Sequence, residues 1–133
     1  MKVSEHFQDH EFAQRAGHGC ASALYPADWI APRLVPLCKA LERIRSEFGG
    51  AVITILSGYR SPAYNAAIGG APKSQHMEGR AADIVVHGVA PSEVYDRILA
   101  LYHCGEIEIG GLGKYPGFTH VDVRGGALAT WQG

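Results

Sequence analysis

Apolar residues recur every three or four positions over residues 32–48, and charged residues occupy the opposite side of that spacing. This period predicts an amphipathic helix with one face in a core. Gly49 and Gly50 follow it and can adopt the positive φ that ends a helix. Pro36 must lie in the first turn, or the helix begins later, because proline disrupts a helix interior. The predicted core face comprises Leu34, Leu37, Cys38, Leu41, Ile44 and Phe48.

Short apolar runs predict strands in the rest of the chain. Residues 52–56 and 81–86 have the composition of buried strands. Residues 91–103 have helical spacing, with Gly105 as the stop. Further strands, separated by glycine turns, are predicted at residues 106–109, 118–123 and 128–131. This order predicts one α+β domain over residues 1–133, an antiparallel β-sheet with helices packed on one face.

A long polar loop separates the first two predicted strands. Residues 57–79 are rich in Gly, Ser, Pro, Ala and Asn, with one helical turn around residues 64–68. Binding and catalytic groups are often placed on loops that a rigid scaffold holds. We therefore expect functional residues in this segment.

Composition and charge exclude several function classes. The chain has 47% hydrophobic residues, 19% charged residues and a net charge of -1, which gives no electrostatic basis for binding nucleic acid or an anionic membrane. No apolar stretch approaches the roughly 20 residues of a membrane helix, and residues 1–10 lack a signal-peptide apolar region. Cys20, Cys38 and Cys104 form no Cys-x-x-Cys pair, so we expect buried thiols.

Asp83 leads directly into the apolar run at residues 84–86. An unpaired buried carboxylate costs several kcal/mol, so Asp83 needs a cationic partner unless it is a turn or cap residue. A divalent metal would also account for nearby histidines, since two histidines and one carboxylate form a recurrent catalytic zinc set. The histidines expected to have only surface or structural roles are His6, His10, His18, His87 and His103.

The side chains of residues 118–124 alternate between an apolar and a polar face. The polar face comprises Phe118, His120, Asp122 and Arg124. His120 and Asp122 are then about 7 Å apart along the strand, from a rise of roughly 3.4 Å per residue. This spacing suits a metal ligand beside a supporting or catalytic acid.

The most specific motif in the chain is Ser74-x-His76-x-x-Gly79-x-Ala81-x-Asp83. Before it lie Ser57-Gly58-Tyr59-Arg60-Ser61-Pro62, Asn65 and Gly69-Gly70, and after it Gly110-Gly111-Leu112-Gly113, Tyr115, Phe118 and His120-Val121-Asp122. Together these motifs resemble the zinc D-Ala-D-Ala carboxypeptidase and murein endopeptidase family, whose fold is shared with the hedgehog signalling domain. His6-Phe7 and Glu11-Phe12 are similar to the start of short phage-type and periplasmic members.

The resemblance implies one zinc ion bound by His76, Asp83 and His120. Such a zinc ion would lower the pKa of a bound water toward about 7 and so supply a nucleophile for the scissile carbonyl. Arg60 matches a family arginine that steadies the oxyanion, and its guanidinium also suits a substrate carboxylate. Arg60 is thus predicted to act in both catalysis and substrate binding.

Three further residues of the motifs are candidates for substrate binding. Ser74 matches a position that contacts the polar ends of the substrate, with the alternative that it braces its own loop. Tyr59 and Asn65 are candidates for substrate contact or for a scaffold role.

Gly117 departs from the family pattern, because several members have a Glu or Asp three residues before the last zinc histidine. Either His120 binds zinc and Asp122 assists catalysis by relaying a proton, or Asp122 binds the metal and His120 handles the proton. The sequence favours the first arrangement, since His-x-Asp endings occur in the short members.

The predicted function is zinc-dependent hydrolysis of the peptidoglycan stem peptide by a monomer. The alternative is a hedgehog-like zinc domain that binds cell-wall peptides without cleaving them. Without a signal-peptide region, we expect cytoplasmic synthesis and action at the cell wall, as for a phage endolysin. Loop shape decides which bond is cut, and the sequence leaves that choice open.

Overall fold

The computed structural model describes residues 1–133 as three α-helices and one five-stranded sheet. The helices are α1 (Val35–Glu47), α2 (Pro62–Ala67) and α3 (Pro91–His103). The strands are β1 (Ile53–Ser57), β2 (Ala81–Val86), β3 (Gly111–Lys114), β4 (Thr119–Asp122) and β5 (Ala129–Gln132). The sheet order is β1-β2-β4-β3-β5, and all neighbouring strands are antiparallel except β3 and β5, which are parallel. The α+β class is confirmed, with a mixed sheet in place of a fully antiparallel one.

The two long helices follow the sequence pattern closely. Helix α1 begins at Val35 and has Pro36 in its first turn, while the preceding segment Ile30–Leu34 forms a π-helical turn. Gly49 and Gly50 have positive φ and follow its end, as predicted. Helix α3 and strand β2 have the predicted bounds.

The third strand lies further along the chain than predicted. Residues 106–109 show the expected alternation, with Ile107 and Ile109 buried and Glu106 and Glu108 exposed, but they pair with no strand. The glycine-rich segment Gly111–Lys114 is the strand instead. A Cβ at Gly111 would collide with the carboxylate of Asp122 on β4, so the missing side chain allows β3 to pair there.

The sheet has one apolar face and one polar face, set by the register of β2 and β4. Ala82 pairs with Val121 and contributes to the core, against which buried residues of α1 and α3 pack. Asp83 pairs with His120, so both side chains lie on the opposite face. Because side chains alternate along a strand, the register that buries the core also assembles the polar face.

The N-terminal segment supports the loop after β1. Phe12 is fully buried in the core, and its carbonyl oxygen accepts a hydrogen bond from the Tyr59 amide at 2.8 Å. The Gln14 side-chain oxygen accepts one from the Ser61 amide at 2.7 Å. These contacts fix the backbone on both sides of Arg60.

The three cysteines are free. Cys38 is buried as expected, and burial raises the pKa of its thiol to about 12. Cys20 is partly exposed and Cys104 exposed, so the expectation of buried thiols is wrong for these two. None of the helices has the length and apolar character needed to cross a membrane.

Candidate functional site

Three buried side chains from separate elements meet on the polar face of the sheet. Asp83 and His120 are cross-strand partners on β2 and β4, and His76 comes from the loop between α2 and β2. The His76 amide donates to the Ser74 hydroxyl, and the His76 carbonyl oxygen accepts from the Arg60 amide. One ligand atom from each of His76, Asp83 and His120 lies within 4.8 Å of the others, so the group could hold a metal ion.

The outer nitrogen of each imidazole is fixed by an acceptor. His76 Nδ1 donates to the Gly58 carbonyl oxygen at 2.7 Å, and His120 Nε2 donates to Asp122 Oδ2 at 2.7 Å. These bonds leave His76 Nε2 and His120 Nδ1 facing Asp83 Oδ1, each at 3.1 Å. In neutral imidazoles both inner nitrogens carry a lone pair, so three electron-rich atoms converge on one point. The donor set and the fixed tautomers fit zinc.

Burial and contacts among these side chains shift their pKa values. Burial lowers the pKa of His76, which keeps its imidazole neutral. For His120 burial opposes the charged form, but hydrogen bonds to Asp122 and Asp83 prevail and raise its pKa. Burial likewise opposes ionisation of Asp83, yet its contacts with His120 and His76 hold its pKa well below the usual range. The Asp83 carboxylate is therefore charged at neutral pH.

Asp122 lies behind His120 and is fully buried. It accepts hydrogen bonds from Arg124 Nε at 2.9 Å, from Arg124 Nη2 at 2.7 Å and from the Arg124 amide. Although burial raises its pKa, the bonds from His120 and Arg124 lower it to about 2. This carboxylate does not line the cleft.

Arg60 borders the same group from the other side. Its Nη2 donates to Asp83 Oδ2 at 3.1 Å and its Nε donates to Ser57 Oγ at 3.1 Å. Nη1 lies 3.4 Å from Asn65 Oδ1. Since the guanidinium is held by three residues and lines the cleft, it presents a fixed positive charge beside the metal-binding atoms.

A cleft of about 800 Å³ opens over the group. Among the predicted substrate contacts, Arg60 and Ser74 line it. Asn65 is buried beneath it, where its Nδ2 donates to the Ala71 carbonyl oxygen. Tyr59 lies outside the cleft and packs edge-on against Tyr25 and Trp29. The positions of Asn65 and Tyr59 favour the scaffold role rather than direct contact with substrate.

Several cleft residues were absent from the predicted site. Tyr115, Phe118 and Trp131 form one aromatic wall, and Lys73 lies exposed in the loop that also lines the cleft. Strand alternation had placed Phe118 on the site face, and Tyr115 belongs to a family motif, so two signals were present. No sequence signal indicated Trp131, because the parallel pairing of β5 with β3 brings it to the site.

Comparison with known proteins supplies the family. The model of the peptidase M15 family matches residues 5–122. The chain belongs to the peptidase M15 family. It is 37% identical over 103 residues to the zinc D-Ala-D-Ala carboxypeptidase of Streptomyces albus G, a match that covers 77% of this chain. The chain spans 38% of that relative's length.

The family match confirms the predicted family. Together with the buried His76, Asp83 and His120 group, it supports the predicted class of zinc metallopeptidase. The remaining histidines of this M15 family member are exposed, as expected: His6, His10, His18, His87 and His103.

Proposed function

We propose that this chain is a zinc metallopeptidase that hydrolyses peptide bonds in the peptidoglycan stem peptide, with zinc bound by His76, Asp83 and His120. The convergence of two imidazole nitrogens on one carboxylate oxygen, each at 3.1 Å, carries the proposal. With their outer nitrogens donating to Gly58 and Asp122, neutral imidazoles present the lone pairs of their inner nitrogens beside Asp83. A cation would fit between these three donor atoms, and the donor set suits zinc.

Bound zinc would supply Lewis acidity, which activates water and polarises a carbonyl group. Arg60 contributes a second positive charge that its hydrogen bonds to Ser57 and Asp83 hold in place. A donor fixed before the reaction stabilises developing negative charge without reorganisation. We therefore assign oxyanion stabilisation or binding of a substrate carboxylate to Arg60.

Asp122 acts by orienting His120 in this proposal, not by contacting substrate. Its hydrogen bond to His120 Nε2 fixes the tautomer that leaves Nδ1 free, and Arg124 fixes Asp122 in turn. Carboxylates in this position hold metal-binding histidines in many zinc sites. This arrangement supports His120 as the ligand in preference to Asp122, and it replaces the predicted proton relay.

The relative supports the proposed substrate class, since it is a zinc D-Ala-D-Ala carboxypeptidase. The cleft supports it with three cationic side chains, Arg60, Lys73 and Arg124, of which Arg60 is paired with Asp83 and Arg124 with the buried Asp122. A short anionic peptide fits this charge balance, since opposite charge favours binding. Peptidoglycan stem peptides, with their terminal carboxylates, are of this kind.

One observation favours the second candidate, a zinc domain that binds cell-wall peptides without cleaving them. The cleft contains no carboxylate other than Asp83 and no imidazole other than those of His76 and His120. Gly117, where several family members have an acid, offers no side chain. A dedicated general base is thus not evident among the cleft residues.

Purified sacculi and soluble muropeptides distinguish the two candidates. We expect the zinc-loaded protein to release new peptide fragments, identified by mass spectrometry, and expect a chelator to stop the release until Zn²⁺ is restored. His76→Ala should abolish both zinc binding and hydrolysis. His10→Ala, at an exposed histidine, is the matched control and should retain both.

The outcomes separate clearly. Zinc-dependent attachment to sacculi without any new fragment would favour the binding domain. Full hydrolysis by metal-free His76→Ala would refute the ligand set. The mass of each fragment also identifies which stem-peptide bond is cut.

A further inference from the structure

The aromatic wall stands directly beside the proposed metal ligands. The Trp131 ring lies 4.9 Å from the His120 ring, measured between centroids. The Tyr115 ring is stacked on Phe118 at 4.5 Å with an interplanar angle of 14°. All three aromatic side chains line the cleft. The wall is therefore part of the surface that a bound peptide would meet.

One hydrogen bond joins the two polar members of this wall. Trp131 Nε1 donates to the Tyr115 hydroxyl oxygen at 2.8 Å. An indole nitrogen is only a donor, so the tyrosine oxygen must be the acceptor and its own hydrogen must point elsewhere. The Tyr115 hydroxyl makes no other hydrogen bond within the protein. It thus offers a donor whose direction Trp131 restricts.

Two glycines make room for this pair. Gly113 is the cross-strand partner of His120, and a Cβ there would come within 2.6 Å of Trp131 Nε1 and 2.9 Å of Tyr115 Cε2. A Cβ at Gly133 would collide with the Tyr115 ring. Any side chain at these positions would displace the aromatic rings from the ligand His120. The close packing shows that the pair has a defined position in the cleft.

The two arginines beside the metal group are already engaged by carboxylates. Asp83 holds the guanidinium of Arg60, and Asp122 holds that of Arg124 through two hydrogen bonds. The Ser74 hydroxyl accepts from the His76 amide and, like that of Tyr115, donates to no acceptor in the protein. Tyr115 differs from Arg60 and Arg124 because it is a neutral donor with no acceptor in the protein. A peptide bound along the wall would bring oxygen acceptors to it.

We propose that the Tyr115 hydroxyl donates a hydrogen bond to an oxygen of the peptide substrate and that Trp131 is a positioning residue that aims this donor. The proposal rests on the proposed function for the nature of the substrate. Loss of one such hydrogen bond reduces binding or transition-state stabilisation by about 10-fold, more if the oxygen carries charge. Loss of this hydrogen bond leaves the proposed zinc ligands unaltered.

Tyr115→Phe tests the donor while keeping the ring stacked on Phe118. We expect kcat/KM for a muropeptide to fall about 10-fold or more, with zinc affinity and unfolding temperature unchanged. Binding of the released product peptide, measured by calorimetry, should weaken as well. Tyr64→Phe is the matched control, since its ring packs against His18 outside the cleft. Unchanged kcat/KM and unchanged peptide affinity in Tyr115→Phe would overturn the proposal.

Trp131→Phe tests the positioning role, because it keeps an aromatic ring and removes the indole N–H. We expect a smaller loss than in Tyr115→Phe, and no further loss when the two substitutions are combined. Additive losses would show that Trp131 acts independently of Tyr115 and would overturn the positioning role. If the wild type cleaves no muropeptide, the proposed function fails, and affinity for the intact muropeptide then decides the role of Tyr115.

Discussion

At the scale of single residues, hydrogen bonds on the outer side of the site determine what the inner side can bind. His76 is fixed by a carbonyl oxygen and His120 by a carboxylate, so each has one nitrogen left to face Asp83. The sequence motif predicted His76 and His120 as ligands but could not show which nitrogen of each ring faces Asp83. That choice depends on Gly58 and Asp122, whose contacts exist only in the folded chain.

Asp122→Asn provides a test at this scale. We expect zinc affinity to fall about 10-fold to 100-fold, because the amide removes the charge that fixes the His120 tautomer. Competition with a chromogenic chelator measures the affinity. Asp28→Asn, at an exposed aspartate without a side-chain partner, should leave it unchanged. Unchanged zinc affinity in Asp122→Asn together with lost turnover would instead support the proton relay that the sequence suggested.

At the scale of elements, helical periodicity predicted secondary structure more reliably than glycine content did. The bounds of α3 were predicted because its apolar spacing is continuous and Gly105 follows it with positive φ. Strand β3 was missed because its glycines resemble a turn. Whether a glycine-rich segment pairs with a neighbouring strand depends on which side chains pack against it. Here the side chains packed against Gly111 and Gly113 belong to the site.

Helix α1 also anchors the N-terminal segment through Glu42. This carboxylate accepts hydrogen bonds from the Ser4 hydroxyl at 2.6 Å and the His6 amide at 2.7 Å, and it contacts His6 Nδ1 at 2.7 Å. Partial burial raises its pKa, but the bonds from Ser4 and His6 prevail and lower it. A carboxylate whose pKa is lowered by folding stabilises the folded state at pH values above its ordinary pKa, which is about 4.3 for glutamate. This contribution disappears as the pH falls through the folded-state pKa.

Glu42→Gln tests this link. We expect a loss of about 1 kcal/mol in the free energy of unfolding at neutral pH, since the group is partly exposed. The difference from wild type should shrink as the pH falls below about 4. Urea denaturation at several pH values measures it, with Glu108→Gln at an exposed, unpaired glutamate as control. A difference that is constant with pH would contradict the role of the charge.

At the scale of the whole molecule, metal binding and folding should be coupled. The proposed ligands come from a loop and two strands, at positions 76, 83 and 120, and they converge only in the folded state. A ligand that binds the folded state alone stabilises it according to its concentration relative to Kd.

Thermal unfolding with and without zinc tests this coupling. At 100 times its Kd, Zn²⁺ should stabilise the protein by about 2.7 kcal/mol and raise the unfolding temperature. The rise should disappear with a chelator and in His76→Ala, and it should persist in His10→Ala. An equal rise in His76→Ala would place the stabilising metal elsewhere.

The sequence by itself determined the features that depend on local signals. Helical periodicity located α1 and α3, apolar composition located β2, and a specific motif string located His76 and Asp83 and identified the family. These signals are local because a helix or strand needs only its own side-chain spacing to show which face is buried. The α+β class followed from the order of the elements.

Only the tertiary structure decided what long-range pairing brings together. Parallel pairing of β5 with β3 places Trp131 beside His120, and Asp122 is buried behind His120, outside the cleft. The packing of Tyr59 against Trp29 likewise removes it from the cleft. Such contacts join residues far apart in the chain, and their register is set by the fit of the whole core, which no local period encodes.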